Sequence, residues 1–311
     1  MITGTPNRKT WMMSKPCLEI SVIIPAYECL QQLYLCLDAL ERQECPRSTF
    51  EVIVIDNGSM PPLQVPARPN LRMLREECVG SYAARNHGIA SARGRLLAFT
   101  DADCIPARDW LNACRARIDR EAEGSVIGGR IEMFYENPLA PRSVEIYDMA
   151  MKSLDQQTYI QKLGFVAPAN LAIRKADFDR VGPFCADLKS SGDVEWCKRA
   201  MAAGLRFVYA EEAVVHHPAR RTLPELIRRE RRLEGGRCDT RLRSGAKRLT
   251  LFKEGLRQLD PRRQTFKIAT FWRMGTGPAI KTRLLALVLL VQYCHALEKL
   301  RLSLGGVSRR G

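Results

Sequence analysis

No Cys-x-x-Cys pair occurs in this chain of 311 residues, although it holds 11 cysteines. That absence argues against a zinc ribbon and against a thioredoxin-type dithiol. The cysteines are scattered and odd in number. Cys36 and Cys104 fall in apolar contexts, where a thiol behaves as a small hydrophobe. Reduced thiols fit the cytoplasm, where the chain is expected. Basic residues Arg8 and Lys9 have no apolar stretch behind them, so no signal peptide is read. No zinc finger, RNP motif or basic zipper is present, and the basic stretches are not interleaved with aromatics, which total only 7%. Nucleic acid is therefore not an expected partner. A glycine-rich, basic phosphate loop is missing near the first apolar run, where Ile24-Pro25-Ala26-Tyr27 stands instead. This disfavours an enzyme that makes sugar nucleotides. There is no internal repeat and no low-complexity tract.

What is present is a globular composition, 46% hydrophobic and 27% charged. The length suits one large α/β domain with an appendage. Lys and Arg number 49 against 34 Asp and Glu, a formal charge of +15. Such a surface draws polyanions: nucleic acid, an anionic membrane, or phosphate-bearing substrates.

Residues 1–18 carry no period and read as a loose arm. Ile20 to Ile24, ended by Pro25, reads as a buried strand, and Leu30, Leu33, Leu37 and Leu40 recur at helical spacing. Val52 to Ile55 is a second buried strand closed by the turn residues Asp56-Asn57-Gly58-Ser59. Leu71 to Leu74 is a weaker strand, Ser81 to Ala92 a helix, and Arg95 to Thr100 a strand that ends in Asp101-Ala102-Asp103. Trp110 to Ile118 is helical, and Val126 to Gly129 reads as strand into turn. Val194 to Ala203 is a helix, with short strands at Arg206 to Tyr209 and Ala213 to Val215. This alternation predicts a mostly parallel sheet flanked by helices, an α/β fold, with ligands at the carboxyl ends of the strands. Asp56, Asp101 and Asp103 fall there.

Carboxylates two residues apart at a strand end can hold Mg²⁺ or Mn²⁺ against a diphosphate leaving group. A simple turn is the bland alternative. Asp56 can accept hydrogen bonds from a base or ribose. Asp193, in Ser191-Gly192-Asp193-Val194-Glu195, is either an N-cap or a general base. His216-His217 ends a strand and offers a metal or phosphate contact.

Taken together and in this order, these segments resemble the family 2 glycosyltransferases of the GT-A fold, over roughly Glu19 to Pro218. Ser21-Val22-Ile23-Ile24-Pro25-Ala26-Tyr27 is similar to the opening strand and nucleotide loop, and Val54-Ile55-Asp56-Asn57-Gly58-Ser59 to the second strand with its base-binding acid. Gly80-Ser81-Tyr82-Ala83-Ala84-Arg85-Asn86-His87-Gly88 resembles the family's Gly-x-x-x-Ala-Arg-Asn-x-Gly segment. Leu97 to Asp103 resembles the metal motif, and Pro168-Ala169-Asn170-Leu171-Ala172-Ile173-Arg174 the acceptor-side segment. The resemblance implies a nucleotide-sugar donor, a UDP-sugar by default, bound by Pro25, Ala26, Tyr27, Asp56, Arg85, Asp101 and Ala102. It implies a divalent cation on Asp103, Asp101 and His217, and acceptor contacts from Asn170, Arg174 and Glu195. Asp193 would be the base of an inverting hexosyl transfer, with Glu195 as fallback because Gly192 stands where an acid often precedes it. Asn57 stands where many members have a second Asp. The Gln-x-x-Arg-Trp pattern of processive synthases is absent, so one sugar per encounter is expected, in surface polysaccharide or glycolipid assembly. The alternatives are a catalytically inactive binding module of the same fold and a protein that binds polyanions, nucleic acid or an anionic membrane.

From Arg220 onward basic residues dominate, and residues 220–311 are expected to form a basic helical extension behind a 19–219 catalytic domain. Its apolar run Leu284 to Leu297, interrupted by Gln292 and His295, falls short of the roughly 20 residues of a membrane span. It reads as a core helix, a partner-binding helix, or an interfacial helix on an anionic membrane surface. The last reading makes the acceptor lipid-linked rather than a free saccharide, and the enzyme peripheral on the cytoplasmic membrane face.

Overall fold

In the computed structural model, residues 18–151, 154–264, 269, 271–273 and 276–308 are described. The expected 1–18 arm lies almost wholly outside them. Four runs of apolar, largely β-branched residues make the parallel half of one sheet: β1 (Ile20–Ala26), β2 (Phe50–Asp56), β3 (Leu71–Arg75) and β4 (Leu96–Thr100). The full strand order is β3-β2-β1-β4-β7-β6-β8-β5, adding β5 (Ile105–Pro106), β6 (Ser125–Phe134), β7 (Asn170–Arg174) and β8 (Arg206–Pro218). β7 runs antiparallel to both β4 and β6, while β6 and β8 are parallel.

Alternation along each strand sends side chains to two faces. Val22, Ile24, Val52, Val54 and Ala98 pack under α1 (Leu30–Glu41) and α3 (Trp110–Arg120). Ile23, Ile53, Ile55, Leu97 and Phe99 pack under α2 (Ser81–Ser91), α6 (Lys175–Val181) and α7 (Gly192–Ala202). Between β6 and β7 the chain forms α4 (Ser143–Ala150), the short α5 (Gln156–Thr158) and a π turn at Tyr159–Leu163.

Two expectations change. Gly128-Gly129 is not a turn: β6 runs on to Phe134, and a Cβ on Gly129 would meet Ala213 O and Asn170 Nδ2, each at 2.4 Å. The two short strands expected after Arg206 are one strand. Ala210 pairs with Gly129 and Val214 with Arg130, so the residues between them bulge out.

The C-terminal part is helical. α8 (Leu223–Arg243) starts at a Thr222/Glu225 capping box, followed by α9 (Arg248–Gln258) and α10 (Pro278–Ser303). α10 is longer than its apolar run: at 26 residues it has the length and composition to cross a membrane. One face, however, is core. Leu284, Leu287, Val288 and Val291 bury against Ile146, Tyr147, Leu226 and Phe271. Gln292, farther along, donates to the carbonyls of Gln258 at 2.5 Å and Asp260 at 2.7 Å.

Candidate active site

Parallel strands deliver their carboxyl ends to one edge of the sheet, so β1, β2 and β4 bring Tyr27, Asp56 and Asp101 together. Above that edge lies a cavity of about 1390 Å³. Small-ligand sites commonly measure roughly 300–1,000 Å³, so this one has room for two substrates. Pro25, Ala26, Tyr27, Arg85, Asp101, Ala102, Asp103, Asp193 and His217 all line it.

α2 is the crossbar. Arg85, 5% exposed, donates to Asp101 Oδ1 at 2.5 Å, and Tyr82 donates its hydroxyl to Asp193 Oδ1 at 3.1 Å. The helix can lie this close because a side chain on Gly88 would strike Ile23 and Ile55, each at 2.7 Å. Asn86 clamps the chain that leads towards α7, exchanging bonds of 2.8 and 3.0 Å with the backbone of Phe184. The loop before α2 is fixed by Asn57, which accepts from Gly80 N at 2.8 Å and donates to the carbonyls of Glu76 and Cys78 at 3.1 and 2.7 Å. An Asp there could not donate these bonds.

Asp56 is 3% exposed and lies below the cavity surface. Its oxygens accept from Ser59 N at 3.0 Å, Leu63 N at 3.1 Å and Arg75 Nη1 at 3.0 Å. Burial alone would raise its carboxyl; the bonds to Ser59 and Leu63 and the charge of Arg75 outweigh that and hold it below the usual value. Asn57, not Asp56, reaches the cavity lining.

Asp193 sits in the first turn of α7 after Ser191, whose backbone is left-handed at φ 62° and whose side chain caps nothing. Burial pushes the Asp193 carboxyl up, against the Val194 N–H, the Tyr82 hydroxyl and the charge of Arg85, which all favour the anion. Gly192 is required by packing: a Cβ there would lie 2.6 Å from the Tyr82 ring.

Asp103 faces His217, with Oδ2 3.6 Å from Nε2. The other ring nitrogen of His217 lies 2.8 Å from Pro218 O, a group that only accepts. Nδ1 is therefore the N–H, and in the neutral ring Nε2 turns a lone pair towards a carboxylate. Two acceptors facing one another fit a cation between them. Cys104 is the third group of this cluster, but burial pushes its thiol well up, and a neutral thiol is a poor ligand for a hard ion.

The three expected acceptor residues have other partners. Asn170 is a sheet staple, 1% exposed: it accepts from Trp110 Nε1 at 2.9 Å and donates to Arg130 O and Ala213 O at 2.9 and 2.8 Å. Arg174 closes the C-terminus of α3, donating to the carbonyls of Ile118, Glu121 and Ala122. Glu195 pairs with Arg199 at 2.7 Å and is outside the cavity lining. Conversely, the cavity uses residues not singled out from sequence: Tyr82, Tyr147, Asp148, Tyr159, Arg229 and Arg232. The last two were visible only as part of a basic run.

A GT-A sheet with carboxylates at its strand ends and an enclosed Asp across the cavity defines a glycosyltransferase-type site. The glycosyl transferase family 2 model matches residues 21–182, more than half of the chain, which therefore belongs to that family. Asp193 and His217 lie beyond the match. The glycosyltransferase AglE of Haloferax volcanii is 37% identical over 224 residues, covering 70% of this chain and 72% of its own. The pre-mycofactocin glycosyltransferase of Mycobacterium tuberculosis is 29% identical, and the match spans 58% of this chain and 40% of that protein. Among solved structures, the mannosyltransferase PcManGT from Pyrobaculum calidifontis, in complex with GDP-Man and Mn2+, superposes with a TM-score of 0.53 at 17% identity, over 94% of this chain and 76% of that one. That likeness is one of fold.

Proposed function

We propose that this chain is an inverting, metal-dependent glycosyltransferase that moves one hexosyl unit from a nucleotide-diphosphate sugar, by default a UDP-sugar, to an acceptor hydroxyl, with Asp193 as base. The observation that carries this reading is α2. One helix ties the carboxylate of the donor side, Asp101, to the carboxylate of the acceptor side, Asp193, across a single cavity. Pro25, Ala26 and Tyr27 would receive the nucleotide, with Asn57 beside them and Asp56 holding the 57–63 loop through Ser59 and Leu63. Asp103 and His217 would hold Mg²⁺ or Mn²⁺, with Asp101 alongside. Such an ion, when bound, neutralises the departing diphosphate. Asp193 takes the proton of the acceptor hydroxyl while that oxygen attacks the anomeric carbon opposite the diphosphate, which inverts the configuration. A carboxylate raised by burial suits this work, because a weakly basic carboxylate makes a poor proton acceptor.

The acceptor would be a saccharide or lipid-linked sugar of surface polysaccharide or glycolipid assembly. The α9–α10 layer favours a peripheral place on the cytoplasmic face of a membrane, because it exposes Leu249, Leu256, Leu297 and Leu304 among cations. The test is thermal unfolding of the full chain with UDP, GDP and dTDP, with and without Mn²⁺. A ligand at about 100 times its dissociation constant adds roughly 2.7 kcal/mol, and each kcal/mol raises the midpoint by about 2–4 °C. One nucleotide is expected to give a metal-dependent rise, abolished in Asp103→Ala. No rise with any nucleotide, or a rise unchanged in that variant, overturns the assignment.

A further inference from the structure

The cavity changes character along its length. Its floor carries Asp101 and Asp103, whereas the wall built by α8 and α10 carries Arg229, Arg232, Arg237, Arg241 and Lys299. Most of these cations have structural partners. Glu254 holds Arg241 through two bonds of 2.5 and 2.7 Å, and Glu234 pairs with Arg237 at 3.2 Å and Lys299 at 3.3 Å.

Arg229 is partnered too, 2.5 Å from Glu230, a carboxylate it shares with His295 at 2.8 Å. Arg232 differs. Arg232 comes three residues later on α8, on the same side of the helix. It lines the cavity and has no ion-pair or hydrogen-bond partner among the described residues. Nearby, Arg220 is fixed by Asp148 at 3.0 Å; burial first, and the charge of Arg229 next, push its guanidinium below the ordinary value. Arg220 and Arg229 thus stand within electrostatic reach of each other. Like charges gathered in a half-enclosed space repel, and an anion between them relieves the repulsion.

This wall belongs to a different element from the nucleotide loop: Pro25, Ala26 and Tyr27 stand at the end of β1, Arg229 and Arg232 on α8. Tyr159, which lines the same cavity, feels the charges of Arg229, Asp193 and Arg220.

We propose that Arg229 and Arg232 form an anion subsite that takes a phosphate or diphosphate carried by the acceptor. Guanidinium forks match phosphate oxygens two at a time, which would fix the acceptor hydroxyl against Asp193. Calling the anion the acceptor's rests on the glycosyl-transfer reading above; the subsite itself does not.

The experiment titrates the full chain by calorimetry with inorganic pyrophosphate in the absence of divalent cations. Separate titrations use UDP, GDP and dTDP with Mn²⁺. Wild type, Arg232→Gln, Arg229→Gln and Asp103→Asn are compared. Pyrophosphate is expected to bind wild type and Asp103→Asn alike, and to weaken on the order of ten-fold in either arginine variant. Binding should fall with salt. Nucleotide affinity should hold in Arg232→Gln and collapse in Asp103→Asn. Because Arg232 holds no other described group, its loss leaves the fold intact, and a melting curve checks this. Pyrophosphate binding that ignores both arginine substitutions overturns the subsite. A parallel loss of nucleotide and pyrophosphate in Arg232→Gln overturns its assignment to the acceptor, because the anion is then the donor's diphosphate. If pyrophosphate binds through the arginines but no nucleotide binds, the transferase reading fails while the subsite stands.

Discussion

The proposed base, Asp193, is set by a phenol and a missing side chain. Tyr82 is deeply buried, and burial followed by the neighbouring Asp193 charge keeps its hydroxyl protonated, so it remains a donor to Asp193 Oδ1. That bond favours the carboxylate over the acid. Tyr82→Phe removes it, so the Asp193 carboxyl moves further up and more of it is protonated at a given pH. The acid limb of the kcat profile should shift to higher pH, and kcat below the plateau should fall on the order of ten-fold, the worth of a hydrogen bond to a charged group. KM for the donor should hold, since Tyr82 is not placed against the nucleotide. Gly192→Ala should act in the same direction by displacing the Tyr82 ring. An unmoved pH profile in Tyr82→Phe would show that the phenol does not tune the base. At this scale the sequence is only partly legible. Asp101 and Asp103 are legible at a strand end because their motif is short and local, whereas Asp193 reads locally as an N-cap and stands out only through the family resemblance. Asn170 and Arg174 mislead for the opposite reason. Their segment reads as a site motif, yet their partners, Ala213 O and Ile118 O, are brought to them only by folding.

Among the elements, α8 and α10 are joined by a buried hydrogen bond as well as by apolar packing. Glu230 lies between Arg229 and His295, with its side chain 10% exposed. Burial would raise its carboxyl, but the His295 hydrogen bond and the Arg229 charge outweigh that and bring it down to about 2 from an ordinary value of 4.5. A carboxyl depressed on folding stabilises fully above its unfolded value and loses that contribution as pH falls towards the folded one. The contact is therefore intact at neutral pH and should weaken between about pH 4.5 and 2, a loss of roughly 3 kcal/mol. Glu230→Gln should lower the melting midpoint at pH 7 and flatten its acid dependence in that window. An acid dependence equal to that of the native chain would exclude Glu230 as its source. Sequence could not show this contact, nor the α8 wall of the cavity. A basic helix looks like a solvated face until its return over the strand ends is known, and α4, which supplies Tyr147 and Asp148 beneath it, was not recognised from sequence.

For the whole molecule, the excess of positive charge has two separate destinations. One is the cavity wall; the other is the outer surface of α9 and α10. On α9, Leu249, Lys253 and Leu256 share an exposed face at helical spacing; on α10 Tyr293 and Leu297 do the same, and Leu304 is exposed just past its end. Arg248 and Arg257 on α9, Arg273, and Arg283 on α10 are exposed as well. Exposed apolar side chains together with cations match an anionic lipid surface, where each Lys or Arg near the headgroups contributes about 1 kcal/mol. The charge +15 supplies long-range attraction, and the leucines supply contact that salt does not screen. The full chain should float with vesicles containing anionic phosphatidylglycerol at low salt and not with neutral phosphatidylcholine vesicles. Raising the salt should reduce flotation without abolishing it. The double variant Leu297→Asp, Leu304→Asp should lose the salt-resistant part while its cavity still binds nucleotide. If wild type stays in the soluble fraction at low salt, the outer charge is only a solvated face. The acceptor must then reach Asp193 from solution.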